Sequence, residues 1–245
     1  MILLADIGNS RLKWVTLAGN EVQARGQASH GRENWDELAK QQWGGLPAPK
    51  RALLVSVTGA ETRSALTAWI ARQWGIDAQW ITSTAAAGGI RNAYREHPER
   101  LGADRWVALI AARALTRQAC CVVDCGTALT IDALAADGQH LGGVIVPGIR
   151  LMREALYRDT RQIPPEGGQP ELFGRTTRDC VWGGAVHAVA AAIDGIAGRM
   201  EAASGAGLRL LTGGDGEMIL PYLSGRYRLE PDLIFQGLRA FAEQG

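Results

Sequence analysis

"ADIGNSRLK" (residues 5–13) and "VDCGTALT" (residues 123–130) are the two stretches that decide how this chain folds. In each, an apolar run ends in an aspartate, Asp6 or Asp124, and two residues later comes a glycine, Gly8 or Gly126. Small polar residues follow, Asn9 and Ser10 in the first stretch and Thr127 in the second. The pattern predicts a strand, a tight turn and a second strand in both places. Such a turn needs glycine; it does not need a carboxylate at the strand end. Either stretch alone fits an ordinary hairpin, because Asp-Gly and Asn-Ser are common turn material. Two of them, at equivalent places in two halves, point to chemistry instead. Backbone N–H groups in such turns form anion-binding concavities, and a carboxylate tolerates a phosphate when a cation lies between them. Lys13 offers a phosphate contact and is one of only three lysines, with Lys40 and Lys50.

Working outward, the first half reads as an antiparallel meander through residue 27, with a turn at "AGN" (residues 18–20). A helix is expected over 33–42, a strand over 51–57, a helix over 61–74 and a short strand at "AQWIT". A long polar, glycine-bearing loop of residues 83–105 follows, a common seat of function. It leads into a helix over 106–116 that is apolar on nearly all sides, which suits a central core or a subunit interface. The opening pattern then returns as strand, turn, strand, turn and strand through Gly148. A helix over 149–157, a proline- and glycine-rich loop, a long helix over 178–203, a strand ending in "TGGDG" and a last amphipathic helix complete the chain. This is an internal repeat with little sequence identity, divided as 1–110 and 111–245.

Composition restricts the partners. The formal net charge of +1 gives no sign of a protein held to nucleic acid by phosphate attraction. No segment reads as a membrane span or a signal peptide, so a cytoplasmic protein is expected. Cys120, Cys121, Cys125 and Cys180 lack metal-ligand spacing and are expected to be buried small hydrophobes. The four histidines are scattered, with His187 expected to pack in the core, and Asp132 faces either solvent or a cleft. The tryptophans are expected in the core or at an interface. Neither a Walker-type GxxxxGK[ST] nor a dinucleotide-binding GxGxxG is present.

The paired hairpins resemble those of the acetate and sugar kinase/Hsp70/actin superfamily. Three further stretches are similar to motifs of the type III pantothenate kinases. Gly102-Ala103-Asp104-Arg105 resembles the GxDR motif, and "DCGTALTID" with "GGVIVPG" resembles the second phosphate hairpin and the strand after it. Gly174-Arg175-Thr176-Thr177 lies where that family has G-[KR]-N-T, with Thr176 in place of the usual Asn. The resemblance spans essentially the whole chain. It implies an α/β fold of two ribonuclease-H-like halves, each a mixed sheet flanked by helices, with a nucleotide cleft between them. It also implies ATP-dependent phosphorylation of pantothenate by a homodimer using Mg²⁺ and K⁺ or NH₄⁺.

By position, the resemblance assigns Asp6, Ile7, Gly8, Asn9, Ser10, Arg11, Leu12 and Lys13 to the first nucleotide loop, with Asp6 helping to hold Mg²⁺. Thr127 becomes an ATP contact and Asp124 a ligand of the monovalent cation. Gly102, Ala103, Asp104 and Arg105 become the pantothenate segment with Asp104 as general base, and Tyr94 and Thr177 become substrate contacts. "TGGDG" lies where the superfamily contacts adenosine. The residues fit this chemistry, since phosphoryl transfer needs positioning and charge neutralisation and an alcohol needs a carboxylate to take its proton. By itself, Asp104 also fits a helix N-terminal carboxylate and Arg105 a surface cation. Two other readings use the same fold: another small-molecule kinase or a polyphosphate phosphatase, and a non-catalytic accessory protein.

Overall fold

The computed structural model describes residues 1–31, 34–160 and 167–243, arranged as two compact units. The first comprises Met1–Leu115 and Leu233–Gly245, the second Thr116–Asp232.

The first unit begins with the meander β1 (Ile2–Ile7), β2 (Arg11–Ala18) and β3 (Glu21–Ser29). Helix α1 (Trp35–Trp43), strand β4 (Arg51–Ser56), helix α2 (Ala60–Trp74) and strand β5 (Ala78–Ile81) follow. The sheet order is β3-β2-β1-β4-β5, with β1 antiparallel to β2 and parallel to β4. Alternation along β1 gives each face its own core. Leu3, Ala5 and Ile7 join Trp43 of α1 and Leu66 and Trp69 of α2, where the rings of Trp43, Trp69 and Trp74 meet. Leu4 joins Val15, Leu53 and Val55 on the other face.

The loop after β5 holds a two-strand ribbon, β6 (Ala86–Ala87) with β7 (Ile90–Arg91), and a 3₁₀ turn, Pro98–Arg100. Helix α3 (Ala103–Leu115) then packs over the second face of the sheet. Residues 105–113 of α3 are all buried within the single chain, so its apolar surface is core.

The second unit repeats the plan with β8 (Cys120–Cys125), β9 (Ala128–Leu134) and β10 (His140–Pro147). It continues through helices α4 (Ile149–Asp159) and α5 (Thr177–Ser204), strand β11 (Leu208–Thr212), a single helical turn α6 (Gly216–Ile219) and strand β12 (Arg228–Leu229). Its sheet order, β10-β9-β8-β11-β12, is the first unit's order with each strand replaced by its counterpart. Helix α5 alone among the described residues is long and apolar enough to cross a membrane. Its Val186, Val189, Ala190 and Ile193 pack on Val123, Leu129 and Ile131 of the sheet, as a core helix does. Asp194 on α5 accepts hydrogen bonds from Ser224 N–H (2.6 Å), Gly225 N–H (3.1 Å) and Tyr227 Oη–H (2.9 Å), fixing the chain before β12.

Several sequence expectations change. The division at 110/111 becomes 115/116, because α3 is one uninterrupted helix belonging to the first unit. The last helix, α7 (Leu233–Ala242), leaves the C-terminal half and packs on α3 and β1, with Leu238 buried beside Val107. Gly237 permits this, since a Cβ there would lie 2.2 Å from the Val107 carbonyl oxygen. The helix expected over 33–42 covers 35–43, capped by Asn34 Oδ1 accepting from Asp36 N–H, and Glu33 lies outside the described residues. Part of the proline-rich loop, 163–166, lies outside them too. Cys120, Cys121 and Cys125 are buried, but Cys180 is exposed in the first turns of α5. Asp132 faces neither solvent nor a cleft: it is buried and accepts a 2.8 Å hydrogen bond from Nε2 of equally buried His140.

Candidate functional site

The ladder between β1 and β2 ends at Ile7 opposite Leu12 and sets Asp6 directly across from Lys13. Directly opposed residues share a sheet face, so carboxylate and ammonium project to the same side. That side also carries Val55, the neighbour of Asp6 on β4, and is the face that α3 covers. Ile7 and Leu12 are buried structural residues, whereas Asn9 and Arg11 are exposed. The turn closes through Gly8 N–H donating to Arg11 O at 3.0 Å, which leaves Asn9 and Ser10 at its tip.

The second hairpin is one residue shorter. Its ladder ends at Cys125 opposite Leu129, and Asp124 lies across from Thr130 rather than from a cation. Gly126 N–H donates to Ala128 O at 3.2 Å around Thr127. Two glycines brace this turn from outside. Gly148 donates to Thr127 O at 3.1 Å, and a Cβ on it would lie 2.4 Å from Gly126 O. Gly213, at φ +95°, sits so close that its Cβ would lie 2.4 Å from Asp124 Oδ1. Asp215 N–H donates to Cys125 O at 2.9 Å, and in the first unit Val57 N–H donates to Ile7 O at 3.2 Å, the equivalent bond. "TGGDG" therefore lies against Asp124. Burial, with the carboxylates of Asp124 and Asp215 nearby, pushes the Cys125 thiol far up and keeps it neutral.

Neither turn glycine is required by the fold. Gly8 and Gly126 are not in the left-handed region, and a Cβ on either would make only ordinary contacts, at 3.4 Å from Arg11 O and 3.5 Å from Ala128 O. The space they leave is space for something outside the chain to approach.

The GADR segment runs into α3 rather than ending ahead of it, with Gly102 just before the helix and Ala103 its first residue. Trp106 N–H already donates to Gly102 O at 3.0 Å, so Ala103, Asp104 and Arg105 form the first turn. Asp104 is half-buried, and its Oδ1 accepts from Arg105 N–H at 2.7 Å. Gly102 accommodates that carboxylate, because a Cβ there would lie 2.6 Å from Oδ1. Arg105 is buried rather than a surface cation. Exposed Tyr94 is placed by Asn92, whose Oδ1 accepts from Tyr94 N–H at 2.9 Å. Buried Asn92 also donates Nδ2–H to Thr84 O and Pro98 O, both at 3.1 Å, and Ser83 Oγ–H closes the loop on Leu101 O at 2.7 Å. Sequence reading missed Asn92, although its spacing to Tyr94 is that of an Asx turn.

Thr177 is the first residue of α5 and is exposed. Thr176 is the N-cap: its Oγ1 accepts from Asp179 N–H at 3.2 Å and donates to Asp179 Oδ2 at 2.7 Å. Asn and Thr both cap helices in this way, which accounts for the substitution.

Comparison with known proteins now decides the assignment. The family model for type III pantothenate kinase matches residues 2–199. The type III pantothenate kinase of Nitrosococcus oceani is 37% identical over 251 residues, covering 99% of this chain and 94% of that one. This chain belongs to the type III pantothenate kinase family. Its fold is shared with solved structures at low sequence identity. A Campylobacter jejuni structure described as a Baf family transcriptional activator matches with TM-score 0.64 at 19% identity, over 99% of this chain and 98% of that one. The activator of the 2-hydroxyisocaproyl-CoA dehydratase from Clostridium difficile, solved with bound ADPNP, matches with TM-score 0.53 at 12% identity, over 99% and 94%. For the kinase, the fold places Asp6, Lys13 and the start of α3 in one unit, and Asp124, Thr127 and Thr177 in the other.

Proposed function

We propose that this kinase transfers the γ-phosphoryl group of ATP to the primary hydroxyl of pantothenate, with the following division of labour. The activity follows from family membership, and the product, 4'-phosphopantothenate, opens coenzyme A biosynthesis. Asp104 accepts the hydroxyl proton as the oxygen–phosphorus bond forms and the bond to the β-phosphate oxygen breaks. The observation that carries this role is the position of Asp104, half-buried in the first turn of a helix packed on the sheet face that bears Asp6 and Lys13. Arg105, Tyr94, Gly102, Ala103 and Thr177 take the pantothenate contacts.

The Asp6–Lys13 hairpin and Thr127 bind the ATP phosphates through turn N–H groups, Asn9, Ser10 and Lys13. Among the described residues no three His, Cys, Asp or Glu side chains cluster together. Mg²⁺ does not need such a cluster, since it is held by one or two carboxylates together with phosphates and water. Asp6 fits that donor set, and the bound ion would neutralise phosphate charge. Asp124, with Thr130 opposite and Asp215 close by, fits a monovalent cation better than its counterpart does. A cytoplasmic homodimer without nucleic-acid or membrane partners completes the proposal.

A coupled assay tests the activity: ADP should form only with pantothenate, ATP, Mg²⁺ and K⁺ all present. Folded protein showing no pantothenate-dependent ADP formation overturns it.

A further inference from the structure

His30, at the end of β3, touches the first hairpin twice. Its backbone N–H donates to Ser10 O at 3.0 Å, and its ring Nε2 lies 2.8 Å from Gly8 O. A carbonyl oxygen can only accept, so Nε2 carries the proton. The ring is held from behind by Trp35 at the start of α1, with centroids 4.6 Å apart. One side chain therefore fixes the Gly8–Asn9 peptide.

A trans peptide is planar, with C=O and N–H pointing to opposite sides. Tying Gly8 C=O to His30 turns the Asn9 N–H away from β3, and rotation of that peptide would bring an acceptor to where the donor stands. A carbonyl presented to a phosphate repels it; an N–H attracts it. We infer that His30 is a positioning residue for ATP, locking the Gly8–Asn9 peptide with its N–H facing the phosphates. This rests on the assignment of the first hairpin to ATP.

Three variants separate the possibilities. His30→Leu keeps apolar bulk against Trp35 but donates nothing, whereas His30→Gln offers an amide N–H in place of Nε2. In His30→Leu, the KM for ATP should rise about five- to tenfold, the magnitude expected from one lost hydrogen bond, with the KM for pantothenate within about twofold. His30→Gln should recover most of the loss. A KM for ATP that stays within about twofold in His30→Leu, rises in step with that for pantothenate, or is not recovered by His30→Gln overturns the inference. Should His30→Leu fail to fold, His30→Asn, polar but too short to reach Gly8 O, replaces it. Gly8→Val tests the underlying assignment by filling the approach to the turn. An unchanged KM for ATP in Gly8→Val removes that assignment and the role of His30 with it. A raised KM in Gly8→Val but not in His30→Leu removes the role of His30 alone.

Discussion

The two Asp-x-Gly hairpins have the same strand order around them and the same bond from the neighbouring parallel strand, yet they are held differently. The first is locked by a side chain, His30, and sets a cation opposite its carboxylate, Lys13 across from Asp6. The second is locked by backbone, with Gly148 and Gly213 pressed against it, and sets Thr130 across from Asp124. One topology thus yields two sites of different charge. Where a lysine faces the aspartate, the pair suits polyphosphate; where a hydroxyl faces it and Asp215 adds negative charge, it suits a bound cation. The difference comes from single residues at fixed ladder positions.

The largest effect expected from breaking this scheme lies outside both hairpins. Asp104→Asn should lower kcat by roughly 10²–10⁴-fold while leaving ATP affinity, measured by calorimetry, nearly unchanged. A near-normal kcat would move the proton acceptor elsewhere and leave the first unit with only a nucleotide role.

Gly213→Ala should follow, because a side chain at φ +95° is strained and its Cβ would enter the Asp124 carboxylate. A loss of about 1–3 kcal/mol in denaturant unfolding is expected, together with weaker activation by K⁺. Gly8→Ala is the matched control in the other hairpin, where the backbone accepts alanine and stability should change by less than about 1 kcal/mol. Equal destabilisation by the two would refute the distinction between a packed and an open glycine.

Exchanging the opposing residues sharpens the charge argument. Lys13→Thr should raise the KM for ATP several-fold, and Thr130→Lys should reduce the dependence of rate on K⁺ by supplying a fixed cation beside Asp124. If K⁺ dependence is unaltered in Thr130→Lys, Asp124 is not the cation ligand.

Acid should weaken the second unit through Asp194. Burial raises this carboxyl, but hydrogen bonds from Ser224, Tyr227 and Gly225 and the charge of Arg209 outweigh it, so its pKa is lowered on folding. A lowered pKa contributes stability above the usual aspartate range, and that contribution is lost as pH falls through the folded value. Melting temperatures of the parent and Asp194→Asn should therefore stay a constant distance apart above about pH 5 and converge as pH falls below about 4. Parallel curves would show that the hydrogen bonds do not depend on charge. The smallest effect belongs to the α5 cap: Thr176→Asn should be neutral within about 0.5 kcal/mol, whereas Thr176→Ala should cost about 1 kcal/mol.

Much of this was legible in sequence because it is local. Apolar runs set the strands and Asp-x-Gly sets the turns, each from residues within about ten positions of one another, and the recurrence of that local pattern marks the repeat. The identity of the GADR segment was legible too, but not that it runs into α3, since helix starts are set by where the first carbonyl finds its donor. The route of α7 back to the first unit was not legible either, because an amphipathic helix records that it has an apolar face and not which sheet will cover it. His30, Asn92, Gly148 and Gly213 carried no local mark of their roles as braces. Their partners are brought to them by strand register and loop closure, so only the tertiary structure decides that a histidine at the end of β3 meets a carbonyl of the first turn. The sequence alone determined the two hairpins, the carboxylates they carry and the family; the fold decided which neighbour each carboxylate has, and neighbours set what a charge can hold.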